Sequence, residues 1–119
     1  FTDGRGLPER RDPAWFGYSA GKWDGDTLVV DTVGIHEKTW LDDGGHPHSD
    51  ALRLTEKFRR RDFGHLDIEM TFDDPKYYTK PFGFTTTMTL MPNDRVYEYV
   101  CTENNRDVQH LMSTKPASR

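Results

Sequence analysis

The segment ALRLTEKFRRRDFGHLDIE, residues 51–69, predicts two β-strands joined at Phe63-Gly64-His65. Apolar side chains recur at every second position, so one face of the predicted hairpin is apolar. With the residues that follow, this face comprises Leu52, Leu54, Phe58, Leu66, Ile68, Met70 and Phe72. Glu56 and Arg60 fall in the same row. A carboxylate and a guanidinium on an apolar strand face require an explanation, so the search for a site starts with them.

The charges on the other face predict the register of this hairpin. Cross-strand pairs of opposite charge stabilise a sheet by about 0.2–1 kcal/mol each. A one-residue slip would exchange the two faces, so the apolar row restricts the choice further. With a three-residue loop at 63–65, the predicted pairs are Asp62 with Leu66, Phe58 with Met70, Arg61 with Asp67 and Arg59 with Glu69.

The rest of the chain alternates strand patterns with turn signals. Asp24-Gly25 is typical of a two-residue hairpin turn, and Gly34, Gly44, Gly45 and Pro47 interrupt the pattern after the second strand. The predicted elements are an irregular arm over 1–13, strands over 14–23, 27–32, 82–91 and 95–103, a long loop over 33–50, a short helix over 105–112 and a disordered tail over 113–119.

These elements predict a mainly β fold in a single domain, residues 14–112. The expected architecture is an antiparallel meander that forms a curved sheet or a partial lipocalin-like barrel, with one long loop and a short C-terminal helix. The sequence predicts about six strands, whereas a barrel of this sort needs about eight. We therefore expect the remaining strands to precede Phe1 or to come from a partner.

Composition narrows the class of function. The net charge is −4, which disfavours nucleic acid as a partner. Cys101 is the single cysteine, so neither an internal disulfide nor a multi-cysteine metal motif is available. No apolar run approaches 18 residues, so no membrane span is predicted.

Five segments together resemble the C-terminal part of a family of exported bacterial proteins with no assigned chemistry. They are GYSAGKWDGDTLVVDTVG (17–34), TWLD (39–42), PHSDALRLTEKFRRRD (47–62), DDPKYYTKPF (73–82) and EYVCTENNRD (98–107). The resemblance covers about residues 15–111. It implies a periplasmic or secreted protein whose full form is longer at the N-terminus, and it implies no activity.

The pair His46-x-His48 is a candidate metal site. Two imidazoles at this spacing can chelate one Zn or Cu ion, with Glu56, Glu103 or His36 as a third ligand. A solvated loop that carries histidines explains the same pattern without a metal. We therefore predict no cofactor, with Zn or Cu as the metals that would suit these ligands.

Glu56 and Arg60 are candidates for a polar site within an apolar cavity. Four residues of strand separate them by about 13 Å, so they do not pair with each other. In a site, the Glu56 carboxylate could act as a general base together with His48 and Tyr99. The structural alternatives are a buried ion pair that fixes the fold, or strand curvature that turns Arg60 to solvent. The candidate ion partners are Glu103, Asp42, His48, Tyr99 and Lys80.

Aromatic and amide side chains supply the candidate ligand contacts. An aromatic side chain could stack on a sugar or another flat ligand, although packing explains most such residues. The aromatic candidates are Trp15, Trp23, Trp40, Tyr97 and Tyr99. Of these, we assign Trp40 to ligand binding, together with Arg60, Glu103 and Asn104. The pair Glu103-Asn104 could alternatively lead into a helix cap at Asn105.

Two functions remain open on sequence grounds. The first is an exported binding or accessory β-domain, either a subunit of a larger assembly or a module for a small hydrophobic or carbohydrate ligand. Its partner would then be another protein chain or that ligand. The second is a lyase, isomerase or hydrolase that acts on a small molecule or carbohydrate with His48 and Glu56, assisted or not by a metal.

Overall fold

The computed structural model describes residues 1–9 and 12–96 of the 119-residue chain. Five strands form one antiparallel sheet, and each strand pairs with the next along the chain. They are β1 (Tyr18–Asp24), β2 (Thr27–Val33), β3 (Arg53–Arg60), β4 (His65–Asp73) and β5 (Phe82–Thr89). The prediction of a mainly β, antiparallel meander is confirmed.

The sheet is open. Over residues 1–9 and 12–96 it has β1 and β5 as its two edges and does not close into a barrel. This described part contains no helix. It therefore has no helix that is long and apolar enough to cross a membrane. The helix predicted over 105–112, the tail over 113–119 and all but the first two residues of the strand predicted over 95–103 lie outside the described residues.

The first hairpin is confirmed, with its turn one residue later than predicted. Asp24 pairs with Thr27, so the two loop residues are Gly25 and Asp26. Gly25 has a φ of 61°, a conformation that glycine adopts at no steric cost.

The predicted start of the first strand at Ala14 is wrong. Gly17 has a φ of 64°, and a Cβ there would lie 2.7 Å from the Val33 carbonyl oxygen. The chain bends at this glycine, so regular pairing begins only at Tyr18. Ala14 makes an isolated parallel bridge to Ile35 instead.

The central hairpin forms between β3 and β4, but its register differs from the prediction by two residues. Arg60 lies opposite Leu66, and Phe58 lies opposite Ile68. Asp62 causes the shift, because its Oδ1 accepts hydrogen bonds from the Gly64 amide and from His65 Nδ1, both at 2.8 Å. A residue that closes the turn in this way is not available for the ladder. A two-residue shift preserves the faces, so the apolar row is as predicted.

The polar face carries the cross-strand ion pairs. Lys57 Nζ lies 2.9 Å from Glu69 Oε1. Arg61 pairs with Asp67 at 3.4 Å, although Arg59 is the residue opposite Asp67 in the ladder. The predicted pair between Arg59 and Glu69 is wrong, because Lys57 lies opposite Glu69 in the observed register.

The apolar face runs across all five strands. Its members alternate with the polar residues and are aligned by the register of the four ladders. They are Trp23 of β1, Leu28 and Val30 of β2, Leu54 and Phe58 of β3, Leu66, Ile68, Met70 and Phe72 of β4, and Phe82, Phe84 and Met88 of β5. Glu56 lies near the centre of this face, between Val30 and Met70 on the neighbouring strands.

Most of the buried core lies at one end of the sheet, and Ile68 lies nearer the middle of β4. The buried apolar side chains among the described residues are Val33, Leu52, Ile68 and Phe72. Val33 ends β2, Leu52 precedes β3, and Phe72 lies one residue before the end of β4. The loop that precedes β3 therefore packs at this end of the sheet.

Candidate functional site

His48 is one of the most deeply buried side chains in the described part of the molecule, with an exposed fraction of 2%. Its Nδ1 donates to the Ser49 carbonyl oxygen at 3.0 Å, and its Nε2 lies 2.8 Å from Thr39 Oγ1. Both ring nitrogens thus have partners within the loop. The arrangement holds the loop together and leaves neither nitrogen open to a substrate or a metal.

Ser49, the residue after His48, connects this loop to the end of β4. The Ser49 amide donates to Asp74 Oδ2 at 2.6 Å, and the Ser49 hydroxyl donates to Asp74 Oδ1 at 2.8 Å. Asp74 is 1% exposed, and its Oδ1 also accepts from the Lys76 amide at 3.1 Å. We call the contacts between Ser49 and Asp74 the loop clamp.

Opposing effects act on the Asp74 carboxyl group. Desolvation by burial raises its pKa, and the hydrogen bonds from Ser49 and the Lys76 amide lower it. The hydrogen bonds together outweigh desolvation, so the pKa lies below the ordinary value. Because Asp74 is ionised and fully hydrogen-bonded, the loop clamp is a structural device. It does not form a nucleophilic triad, since the Ser49 hydroxyl donates to the carboxylate and the His48 imidazole contacts the Ser49 carbonyl oxygen and not its hydroxyl.

His46 has a different environment from His48. It is exposed, and its Nδ1 lies 2.7 Å from Asp42 Oδ2. The hydrogen bond from His46 lowers the pKa of Asp42. The two imidazoles of the His46-x-His48 pattern thus contact different partners, one at the surface and one in the interior. Over residues 1–9 and 12–96, no three His, Cys, Asp or Glu side chains gather in a group that could hold a metal ion.

Glu56 is half-buried in the middle of β3. Desolvation by the apolar surroundings raises the pKa of its carboxyl group. Among the described residues, its carboxylate makes no hydrogen bond and no ion pair. A carboxylate without a partner on an apolar surface is costly, so Glu56 is the residue of this face that most requires a contact from elsewhere.

Arg60 is exposed and is held at the hairpin end of the same strand. Its Nε donates to the Asp62 carbonyl oxygen at 3.2 Å, and its Nη2 donates to the Phe63 carbonyl oxygen at 2.9 Å. Its guanidinium lies 5.4 Å from the centre of the Phe63 ring. Of the predicted alternatives, the structure shows an Arg60 that is turned toward solvent and held by its own turn.

A cleft of about 400 Å³ lies beside Arg60, between the β3–β4 turn and the end of β5. Apolar side chains form most of its wall, with Arg60 and His65 at the polar side. Phe63, Leu66, Met88 and Leu90 are its apolar lining residues. The cleft continues into the apolar face through Leu66 and Met88.

The remaining candidates do not form a cluster in the described structure. Trp40 is 70% exposed, and Trp15 stacks on His36 with ring centres 4.8 Å apart. Tyr97, Tyr99, Glu103 and Asn104 lie outside the described residues. No hydrogen bond or ion pair links any two of His46, His48, Glu56 and Arg60. The roles assigned to these residues from sequence stay predictions.

Asp74 and Thr39 were not among the candidate residues predicted from the sequence. The Asp74 carboxylate accepts three hydrogen bonds from the chain, two of them from a residue 25 positions away. A local signal exists in the Asp74-Pro75 step, where an aspartate precedes a proline at a strand end. That signal predicts a turn and carries no information about the distant residue that the carboxylate binds.

Comparison of this chain with protein-family models, curated proteins and solved structures finds no match. The fold, the geometry of the described residues and the sequence pattern are therefore the basis for the proposed function.

Proposed function

We propose that this chain is an exported binding or accessory domain that docks onto another polypeptide through the apolar face of its sheet. One observation carries the proposal: large apolar side chains on this face stay open to solvent in the described structure. Trp23 is 66% exposed, Phe84 54% and Met88 57%. These exposed side chains lie on the two edge strands and flank a half-buried centre, and large apolar side chains left exposed on one face mark an interaction site.

The shape of the surface favours a polypeptide as the partner. Sites for small molecules are concave and enclose most of the ligand. The apolar face spans five strands of an open sheet, with dimensions of roughly 25 Å by 25 Å at ordinary strand spacings. Only a second broad surface covers an area of this size.

The exposed edge strand supports the same proposal. All eight residues of β5 are exposed, and over residues 1–9 and 12–96 no strand pairs with its outer side. An open edge invites a strand from a partner.

The cleft beside Arg60 is the place for the alternative partner, a small hydrophobic ligand. Its apolar lining and its volume of about 400 Å³ suit such a molecule. Because this cleft shares Leu66 and Met88 with the apolar face, a docked polypeptide would contact it as well. Export rests on the sequence resemblance. The enzymatic alternative has less support, because both nitrogens of His48 are hydrogen-bonded in the interior.

The proposal is tested by site-specific photocrosslinking in cells that naturally produce the chain. The photoreactive residue p-benzoylphenylalanine replaces Phe84 on the apolar face or, as the control, Thr85 on the opposite face of the same strand. Both positions are exposed. We expect a defined polypeptide adduct, identified by mass spectrometry, from position 84 and none from position 85. Absence of an adduct at position 84, or equal adducts at both positions, would contradict the proposal.

A further inference from the structure

Two residues of opposite charge interrupt the apolar face, and both lie on β3. Glu56 and Arg60 lie on the same side of β3 with Phe58 midway between them. They are separated by about 13 Å along the strand. The carboxylate of Glu56 makes no ion pair within the part of the chain that the structure describes. Arg60 is exposed and uses Nε and Nη2 for its turn, and its Nη1 amino group makes no hydrogen bond among the described residues.

We propose that the polypeptide that covers the apolar face is a second copy of this chain, packed face to face about a two-fold axis that lies between the two sheets, at the level of Phe58 and perpendicular to β3. The inference rests on the proposed function and adds the identity of the partner. An axis that lies between the sheets and runs across β3 reverses the direction of the strand. It therefore brings Glu56 opposite Arg60 of the partner subunit, and the same contact occurs twice.

Charge complementarity selects this axis. If the axis ran along β3, each Glu56 would face Glu56 of the partner subunit, and like charges that face each other across an interface disfavour association. Stacked sheets lie about 10 Å apart, a gap that a glutamate and an arginine side chain bridge together. The crosswise axis thus supplies the partner that Glu56 lacks in the single chain.

The size of the face also fits a dimer. A surface of roughly 25 Å by 25 Å on each copy buries about 1,200 Å² in total, which is at the lower end of stable protein interfaces. An isologous two-fold arrangement uses the same patch on both copies. The apolar face carries one charge of each sign, so it can pair with the same face of a second copy and needs no second, different surface.

Charge reversal gives the test, with the full chain and with masses from sedimentation equilibrium. In Glu56→Arg, two arginines face each other at both contacts, and in Arg60→Glu two glutamates do. We expect each variant to dimerise at least tenfold more weakly than wild type. An equimolar mixture of the two has an Arg–Glu pair at both contacts, so we expect it to recover dimers close to wild-type affinity. The double variant should recover them as well.

The matched control is Lys57→Glu, an equal reversal on the opposite face of the same strand, which should leave dimerisation unchanged. The inference is overturned if the single variants associate like wild type or if their mixture associates no better than either alone. Should Glu56→Arg fail to fold by circular dichroism, Glu56→Gln replaces it. Salt should then weaken the wild-type dimer more than the variant dimer, because salt screens the ion pairs. An equal salt dependence would overturn the inference.

The two proposals fail in different ways. If wild type is a monomer at every concentration while position 84 still crosslinks a different polypeptide, the second copy is excluded and docking through the apolar face stands. If position 84 crosslinks nothing, the proposed function itself falls.

Discussion

Gly83→Ala is expected to destabilise the protein more than any other single methyl insertion in the sheet. A Cβ at this position would overlap the Met70 carbonyl oxygen and would lie 3.1 Å from the Thr71 Cα. These are backbone atoms of β4, so no side-chain rotation relieves the clash. Forcing atoms into a packed site costs about 1–3 kcal/mol, occasionally more, and we expect the upper end of that range. Urea unfolding of the variant and wild type measures the difference.

Gly21→Ala is the matched control. Gly21 also lies inside a strand, but the closest atoms to a Cβ there are side-chain methyl groups at 3.4 Å. Alanine at a compatible strand position restricts the unfolded chain and changes stability by up to about 1 kcal/mol, in the favourable direction. If Gly83→Ala is as stable as Gly21→Ala, the close approach of β5 to β4 is wrong.

Asp74→Ala is expected to have the second large effect, because it removes the carboxylate of the loop clamp. The substitution leaves the Ser49 amide and hydroxyl and the Lys76 amide without their acceptor. Hydrogen bonds to a charged group contribute about 1.5–3 kcal/mol each, and an orphaned buried donor adds its desolvation cost. We expect a loss of about 3 kcal/mol or more in the free energy of unfolding.

Asp73→Ala is the control for this substitution. Asp73 is the neighbouring aspartate and is exposed at the end of β4. Exposed substitutions away from special contacts change stability by about 0.5 kcal/mol or less. Equal losses for the two alanine variants would refute the loop clamp.

The same carboxylate predicts a pH dependence. The pKa of Asp74 in the folded chain lies below its ordinary value of 3.8, which it regains on unfolding. The ionised group therefore stabilises the fold above about pH 4, and this contribution is lost as the pH falls below that value through the folded pKa. The difference in unfolding free energy between wild type and Asp74→Asn should be constant from about pH 5 upward and should shrink in acid.

The sequence was sufficient for the fold class and for the two faces of the sheet. Alternation is a local property, so residues 51–72 alone show which side of β3 and β4 is apolar. Charge pairing alone did not predict the register of β3 against β4. The Asp62 carboxylate closes its turn by accepting hydrogen bonds from Gly64 and His65. These local hydrogen bonds determine the register, and the cross-strand charges do not.

Less of the candidate site than of the fold could be predicted from the sequence. The pattern His46-x-His48 indicates chelation, yet the two rings bind Asp42 and Thr39 respectively, because the loop folds back on itself. Nothing in the local sequence indicates that Ser49 meets Asp74. The position of Glu56 on an apolar face was predictable, since it follows from alternation.

Methionine oxidation shows whether a separate polypeptide covers the apolar face. Met88 lies on this face and Met91 lies just beyond β5, and they are 57% and 66% exposed in the single chain. The two should therefore react at similar rates with dilute peroxide unless a partner covers Met88. In extracts of the native cells, mass spectrometry should find Met88 protected relative to Met91, with the protection lost on dilution. Equal reactivity at every concentration, or protection of Met88 that persists in the fully dilute chain, would mean that no separate polypeptide covers this face.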